Sequence, residues 1–534
     1  MKRKSLILIT ALAMCLLTAC GDNDGLDGQF YYTIESNPKN LDPQMAVDPE
    51  SIMIIRNIYG TLMDIDSRGM TVPGTAKSYS VSDDGKTYTF KLREGLQWYG
   101  ISSGDEVQEL TAYDYVFAFR RIYDPLTMSP YVDTFSCIEN SMGVYNGGLD
   151  KVKLGVSASD PYTLIFRLDK PNCDFLKLLA HSAASPCNEK LFLSTQGRYG
   201  LSAADTYSCG AFYISDWNFD PYWTDNHITL ERIDSNSQVG YITSPEVVNI
   251  EITDDRQSYE KTNNISVDAY SIEHIEDYSK DVQKEYRCIE YYSGTTCLFF
   301  SESFPATADK AARSALLSSI DIHKLYDCLG EDSIAAAGFI PDSITVSNKS
   351  YRELFSDTQV NSSGFSDDYW KEFVSKYPAH DFNSSILLVN DRINSDAVPY
   401  NIIADFEEKL DLYFTGIFED NRAYNQRIAD ADFEMGIATI HPSYNMAEYC
   451  LDEINSLIFV DDEQLDKNNN ISASSIDILS KKDALADAEQ YIIENSYALP
   501  IAYEKEYFLC RENVSDLWFD PFTDAAFFKY AKQH

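Results

Sequence analysis

The chain carries 84 Asp and Glu, 11 Cys and only 7 His, so acid–base and metal chemistry have few partners to draw on. A hydrolase needs a nucleophile, a base in reach and a group that orients the base. No His-Glu-x-x-His pair occurs, and adjacent acids such as Asp461-Asp462 read as solvated loop charges. Two carboxylates alone can serve glycoside hydrolysis, so the acid count leaves a hydrolase as the minor reading. His441 has no second His or Cys at ligand spacing, so no metal is expected there. Setting aside Cys15 and Cys20, nine cysteines remain, irregularly spaced from Cys137 to Cys510 and without a Cys-x-x-Cys. An odd number cannot all pair within one chain, so the expectation is mostly buried thiols with one or two disulfides. Against this, 37 Tyr and 28 Phe supply adaptable contact surface. Binding without a cofactor is the stronger expectation.

The amino terminus starts Met1-Lys2-Arg3-Lys4, continues as an apolar run from Leu6 to Ala19, and reaches Cys20-Gly21. A basic start, a short apolar stretch and small residues make a secretory signal over 1–19. The run is shorter than the ~20 residues a membrane-spanning helix needs. Leu17-Thr18-Ala19-Cys20 resembles the bacterial lipobox, which implies acylation of Cys20 and a chain tethered by lipid. Residues 20–29, including Asp22-Asn23-Asp24-Gly25, read as a hydrated linker; the spaced ligands and closing Glu of a calcium loop are missing.

Those few groups must be positioned by a large body. Its length suggests about three domains, and 44% hydrophobic content excludes a disordered chain. A formal charge of −41 excludes most nucleic-acid partners. The spacing predicts a strand over Phe30–Ile34 and a helix from Pro49 toward Met63, with Gly60 closing it. A hairpin turns at Asp84-Gly85, and a second spans Lys153–Leu168 around Ser159-Asp160-Pro161. Thr111 and Asp114 form a capping-box start for a helix that Asp124-Pro125 ends. Strands are predicted at Ile228–Ile233, Val247–Ile252, within Tyr286–Phe300, at Ile386–Val389 and at Leu499–Tyr503. Helices are predicted over Ala311–Leu329, Val398–Leu410 and Lys482–Glu494. Such mixing indicates α/β or α+β domains.

Several segments then fall in one order. They are Asn40-Leu41-Asp42-Pro43, Ile58-Tyr59-Gly60-Thr61-Leu62, Tyr88 to Gly95 with Trp98, and Thr111 to Val116. Asp124-Pro125, Ser129-Pro130-Tyr131, Cys209-Gly210-Ala211-Phe212 and Ala311–Asp321 follow. Together they resemble the family 5 extracellular solute-binding proteins of ABC importers, closest to the oligopeptide- and dipeptide-binding branch. The resemblance implies an α/β (mixed α+β), periplasmic-binding-protein-like type II fold: two lobes with a hinge plus an extra domain. It places domain I at 30–75, 190–280 and 495–534, domain II at 76–189, and domain III at 281–494. It also implies a small peptide or similar solute as ligand, permease and ATPase subunits as partners, and a place on the outer face of the bacterial cell membrane. The same fold family carries nickel chelates, sugars and other small solutes, and a sensor or adhesion lipoprotein would keep the same lobes.

The resemblance also implies a cleft. Ala46, Val47 and Asp48 fall on the domain I loop that faces the ligand, Tyr131 and Tyr503 on cleft aromatics, and Thr439, His441, Ser443 and Tyr444 along the facing domain III segment. Relatives place an Asp where this chain has Ser443, and an Arg and a Trp at Ile437 and Ile440. That Asp pairs with a peptide's α-ammonium. The expectation is therefore that Asp48 or Glu448 supplies the carboxylate, or that the ligand lacks that charge.

Overall fold

The computed structural model describes residues 28–101, 108–222, 225–239, 245–272, 274–301, 303–346, 348–355, 367–376, 386–390, 393, 397–458, 463–464, 467, 475 and 477–534. The signal segment, Cys20 and Asp461-Asp462 lie outside them. Three main sheets organise these residues. The first orders Gln29–Ile34, Val247–Ile252, His227–Arg232 and Phe212–Asn218, with the first pair parallel and the rest antiparallel. The second is an antiparallel meander of Ala76–Val81, Thr87–Leu92, Thr163–Arg167 and Val156–Asp160. Both hairpins predicted from turn residues are in this sheet. Beside it, the Ala112–Ile122 helix starts where the Asp114 carboxylate accepts the Thr111 N–H at 2.7 Å.

The third sheet has seven strands, and its centre is two long antiparallel partners, Tyr286–Phe300 and Ala498–Arg511. Alternation there separates two apolar faces, because successive side chains point to opposite sides. Cys297, Phe299, Ala438 and Ile440 join one cluster, which the helices Ala447–Ile458 and Ile478–Glu494 cover. Leu298, Phe300, Met435 and Ile437 join the other, under Lys310–Ser319 and Ala397–Leu410. Ile437 and Ile440 are therefore core residues, 0% and 3% exposed, on opposite faces of their strand. The sheet's first edge strand, Ala269–Ile272, sits next to the first sheet, where Asp268 N–H donates to Tyr31 O and Asp268 Oδ2 accepts from Tyr31 N at 2.7 Å. The first and second sheets share one core cluster, and Tyr444 and Met446 enter it from the third unit.

Some expectations need correction. The helix expected over Ala311–Leu329 is two helices, Lys310–Ser319 and Ile322–Asp327, because Ile320 is extended and Asp321 caps a new start by accepting Lys324 N–H. The first helix is Pro49–Ile58 and stops before Gly60, at an extended Tyr59. The nine cysteines of the described residues are all free thiols, so the expected disulfides are not formed. Most are spread through the core as small hydrophobes, and burial pushes Cys137 and Cys173 up to about 12.

Candidate functional site: the contact between the lobes

The loop before the first helix is held from two sides. Asp42 and Gln44 accept from the Arg121 guanidinium, Gln44 Nε2 donates to Ala183 O at 3.1 Å and Ser185 O at 3.0 Å, and Ser129 Oγ donates to Gln44 O at 2.7 Å. This fixes Ala46, whose carbonyl accepts the Tyr131 hydroxyl, and leaves Val47 64% exposed at the loop tip. Asp48 is the N-cap: its Oδ2 accepts Ser51 N at 3.1 Å and Lys39 N at 3.3 Å.

Tyr131 faces His181, 5.0 Å between ring centroids, and His181 faces Tyr444 at the same distance. Tyr131, His181 and Tyr444 are 9%, 9% and 6% exposed, so the three rings form a nearly buried cluster of edge-on and tilted contacts. Burial, with a smaller push from Arg56, lowers the His181 imidazole to about 3, so the ring is neutral. Its Nδ1 accepts Ala183 N at 3.0 Å, which assigns the ring proton to Nε2.

The Tyr444 hydroxyl donates to Lys177 O at 3.0 Å. Lys177 answers with its ammonium, donating to Thr345 O at 2.7 Å, Thr345 Oγ1 at 2.9 Å and Asn445 Oδ1 at 3.1 Å. Next to it, Lys481 pairs with both Asp174 and Glu448, and Cys173 N donates to Ser475 O at 3.0 Å. Burial pulls the Lys481 ammonium down, but Glu448 and Asp174 together hold it above the ordinary lysine range. Lys177 has only neutral acceptors, and burial lowers it to about 8.

That shift has a signed consequence. The folded value lies below the ordinary 10.5, so the charged form is penalised in the fold. The penalty is fully present below pH 8 and fades as pH rises toward 10.5, so this group makes stability increase across that window. Urea unfolding of wild type and Lys177→Met, from pH 7 to 10.5, should show a shallower rise in the variant; parallel curves would refute the assignment.

Ser443 is exposed, and no carboxylate stands in its place. Both acids expected to meet a ligand ammonium already have protein partners: Asp48 caps a helix and Glu448 is paired with Lys481. Thr439 Oγ1 lies 2.7 Å from Thr296 Oγ1, which donates to the buried Glu504. His441 is exposed and its ring rests on Gly294, where an added Cβ would lie 2.6 Å from the imidazole. Tyr503 lies 4% exposed, with its hydroxyl accepting Gly338 N at 3.1 Å and donating to Ile340 O at 3.2 Å. The structure thus brings Ala46, Tyr131, Ser443 and Tyr444 to one place, and sets Thr439, His441 and Tyr503 along the third sheet. A small pocket lies against that sheet, lined by Thr296, Leu329, Ser333, Val398, Ala502 and Glu504 among others. Sequence reasoning missed His181, Lys177 and Lys481. Nothing local marks them, since their partners lie as far as 307 residues away.

A Gly-x-Ser-x-Gly spelling does occur, at Gly100-Ile101-Ser102-Ser103-Gly104. Ser102 lies outside the described residues, but the stretch joins strands Gln97–Trp98 and Gln108–Glu109. A nucleophile elbow needs a strand running into a helix, and the next described element after this stretch is the strand Gln108–Glu109. Among the described residues no group of three or more His, Cys, Asp or Glu is placed to hold a metal ion. No helix among them is long and apolar enough to cross a membrane.

The model for bacterial extracellular solute-binding proteins, family 5, matches residues 71–456. The chain belongs to that family. The probable deoxycholate-binding periplasmic protein of Escherichia coli K12 is 30% identical over 227 residues, 40% of this chain and 41% of that protein. The oligopeptide-binding protein OppA of Bacillus subtilis 168 is 29% identical over 254 residues, 44% of this chain and 45% of that one. The alignments thus span less than half the length of these curated relatives. The periplasmic oligopeptide-binding protein OppA of Salmonella typhimurium LT2 is 23% identical over 88% of this chain and 86% of its own. Among solved structures, the unliganded open form of the periplasmic murein tripeptide binding protein MppA superposes with a TM-score of 0.71 at 19% identity, covering 95% of this chain and 98% of that one. That likeness establishes the fold: a solute-binding protein of mixed α/β architecture.

Proposed function

We propose that this chain is the solute receptor of a peptide-type ABC importer, tethered through lipid on Cys20 to the outer face of the cell membrane. It takes an oligopeptide or dipeptide between two lobes and hands it, unchanged, to permease and ATPase subunits. The lobes divide as domain I at 30–75, 190–280 and 495–534 with domain II at 76–189, and domain III at 281–494. Closing two rigid bodies on a guest excludes water from it and creates a shape that a membrane partner can distinguish from the open one. The observation that carries this reading is the meeting of Ala46 and Tyr131 from one side with Tyr444 from the other, through His181. The peptides in the names of the Bacillus and Salmonella relatives support the ligand class.

A pool of random tri- to pentapeptides should raise the melting temperature, because a ligand held only by the folded state stabilises it by mass action. Peptides eluted from the protein should be intact by mass spectrometry. No rise with any pool, or recovery of cleaved peptide, would remove the reading. A non-peptide solute carried in the same role is the second reading. The exposed Ser443 without a carboxylate favours it, as does the deoxycholate in the name of the Escherichia coli relative.

A further inference from the structure

We propose that His181 is a specificity-determining residue of the cleft: its Nε2–H donates to an acceptor oxygen at one end of the solute, an acyl carbonyl or a carboxylate, so that this end is not an ammonium. The inference rests on the receptor reading and names the chemistry of one subsite within it.

The geometry leaves one donor open to solvent. His181 is 9% exposed and packs against Tyr131 and Tyr444 at steep ring angles, with Phe135 at 6.1 Å. Nδ1 is occupied by Ala183 N–H, so Nε2 carries the hydrogen, and Nε2 has no hydrogen-bond partner among the described residues. Nε2 is not among the buried side-chain atoms that lack a partner, so it stays open to solvent, and a solute acceptor would take the place of water there. A site built to donate a hydrogen bond discriminates strongly against a guest that cannot accept one.

The surrounding charges act in the same direction. Arg56 is near enough to disfavour a second positive charge on His181, and the Lys177 ammonium is held beside Asn445. The carboxylates that could offset an incoming ammonium are engaged: Asp48 by backbone amides, Asp174 and Glu448 by Lys481. Asp520 already lies in the field of Arg56 and Lys177, and Asp64 pairs with Arg56 and Lys529. An ammonium brought to this end meets a donor and like charges. An acyl oxygen or carboxylate meets a hydrogen-bond donor in a positive field.

Calorimetric titration with Ala-Ala-Ala as the free amine, N-acetylated and N-succinylated tests this on the full chain. The wild type should bind the two blocked forms at least tenfold tighter than the free amine. His181→Asn keeps an oxygen in reach of Ala183 N–H but lacks the distal donor, so it should lose at least tenfold on the blocked forms and less on the free form. His181→Gln places an amide N–H near the Nε2 position and should recover most of the loss. Because a variant can fail to fold, 15N imidazole spectra of the wild type give an independent reading: the Nε2–H signal should shift on adding the acetylated peptide. Tighter binding of the free amine, unchanged affinity in His181→Asn, or an unmoved Nε2–H signal would overturn the inference and leave the peptide receptor standing. Binding of none of the three forms would overturn both.

Discussion

Lys481→Met should weaken solute binding by two to three and a half orders of magnitude while each side of the contact stays folded. The ammonium is 2% exposed and lies between Asp174, on the turn after the second sheet, and Glu448, on the helix Ala447–Ile458. Removing it leaves two carboxylates sequestered from water with no cation between them. Breaking a buried pair by deleting one partner typically costs about 3–5 kcal/mol, much of it the stranded charge. The two acids come from opposite sides of the contact, Glu448 15% and Asp174 4% exposed, so the cost falls on that contact rather than on either side alone. If solute binding requires closure, the apparent Kd rises by the same factor that the closed population falls. At 1.4 kcal/mol per decade this is roughly 10²- to 4 × 10³-fold. Calorimetry with the best peptide from the pool, and an increased radius of gyration in small-angle scattering, would check it. An unchanged Kd with an unchanged radius would mean that this triad does not hold the lobes together.

Arg121→Met should be the most destabilising single change in the unit formed by the first two sheets. The guanidinium, 8% exposed, donates to Asp42 and to Gln44 at 2.7 Å, and lies 4.1 Å from the Phe192 ring centroid. Asp42 is itself 5% exposed, so its carboxylate would be left without the partner that offsets its desolvation. The expected loss is about 3–5 kcal/mol, visible as a lower urea midpoint for the unit formed by the first two sheets. Arg121→Lys should recover only part of it, since a single ammonium cannot reproduce the forked contact with Asp42 and Gln44. The same variant should weaken binding beyond its effect on stability, because Gln44 sets the position of Ala46. A midpoint within experimental error of wild type would refute the argument.

Which parts of this were readable from the chain follows from how far each signal reaches. Asp84-Gly85 and Ser159-Asp160-Pro161 specify their own turns, and the two hairpins paired as read. Thr111 and Asp114 interact over three residues, so the helix start was visible. Helix ends were harder: the Ala311–Leu329 pattern keeps its apolar period through Ile320, yet Asp321 starts a new helix there by capping Lys324 N–H. The order of segments along the chain carried the fold, because many weak matches in sequence add up. The site was only half legible. Ala46, Tyr131 and Tyr444 could be placed by resemblance, whereas His181 resembles any other histidine until the fold sets it between Tyr131 and Tyr444. Lys177 and Lys481 look like surface lysines until the second and third sheets are brought together.

The cysteines, finally, say something about where such a protein can work. A thiolate is the form that attacks disulfides and oxidants, and a thiol pushed well above its usual acidity supplies very little of it near neutral pH. Cys209, Cys297 and Cys450 are all driven in that direction by burial. None of the nine holds the fold by a covalent bond. The described body therefore gains nothing from an oxidising exterior and risks little in one: it should mature as readily in an anaerobic habitat as in air, without help from a disulfide-forming catalyst.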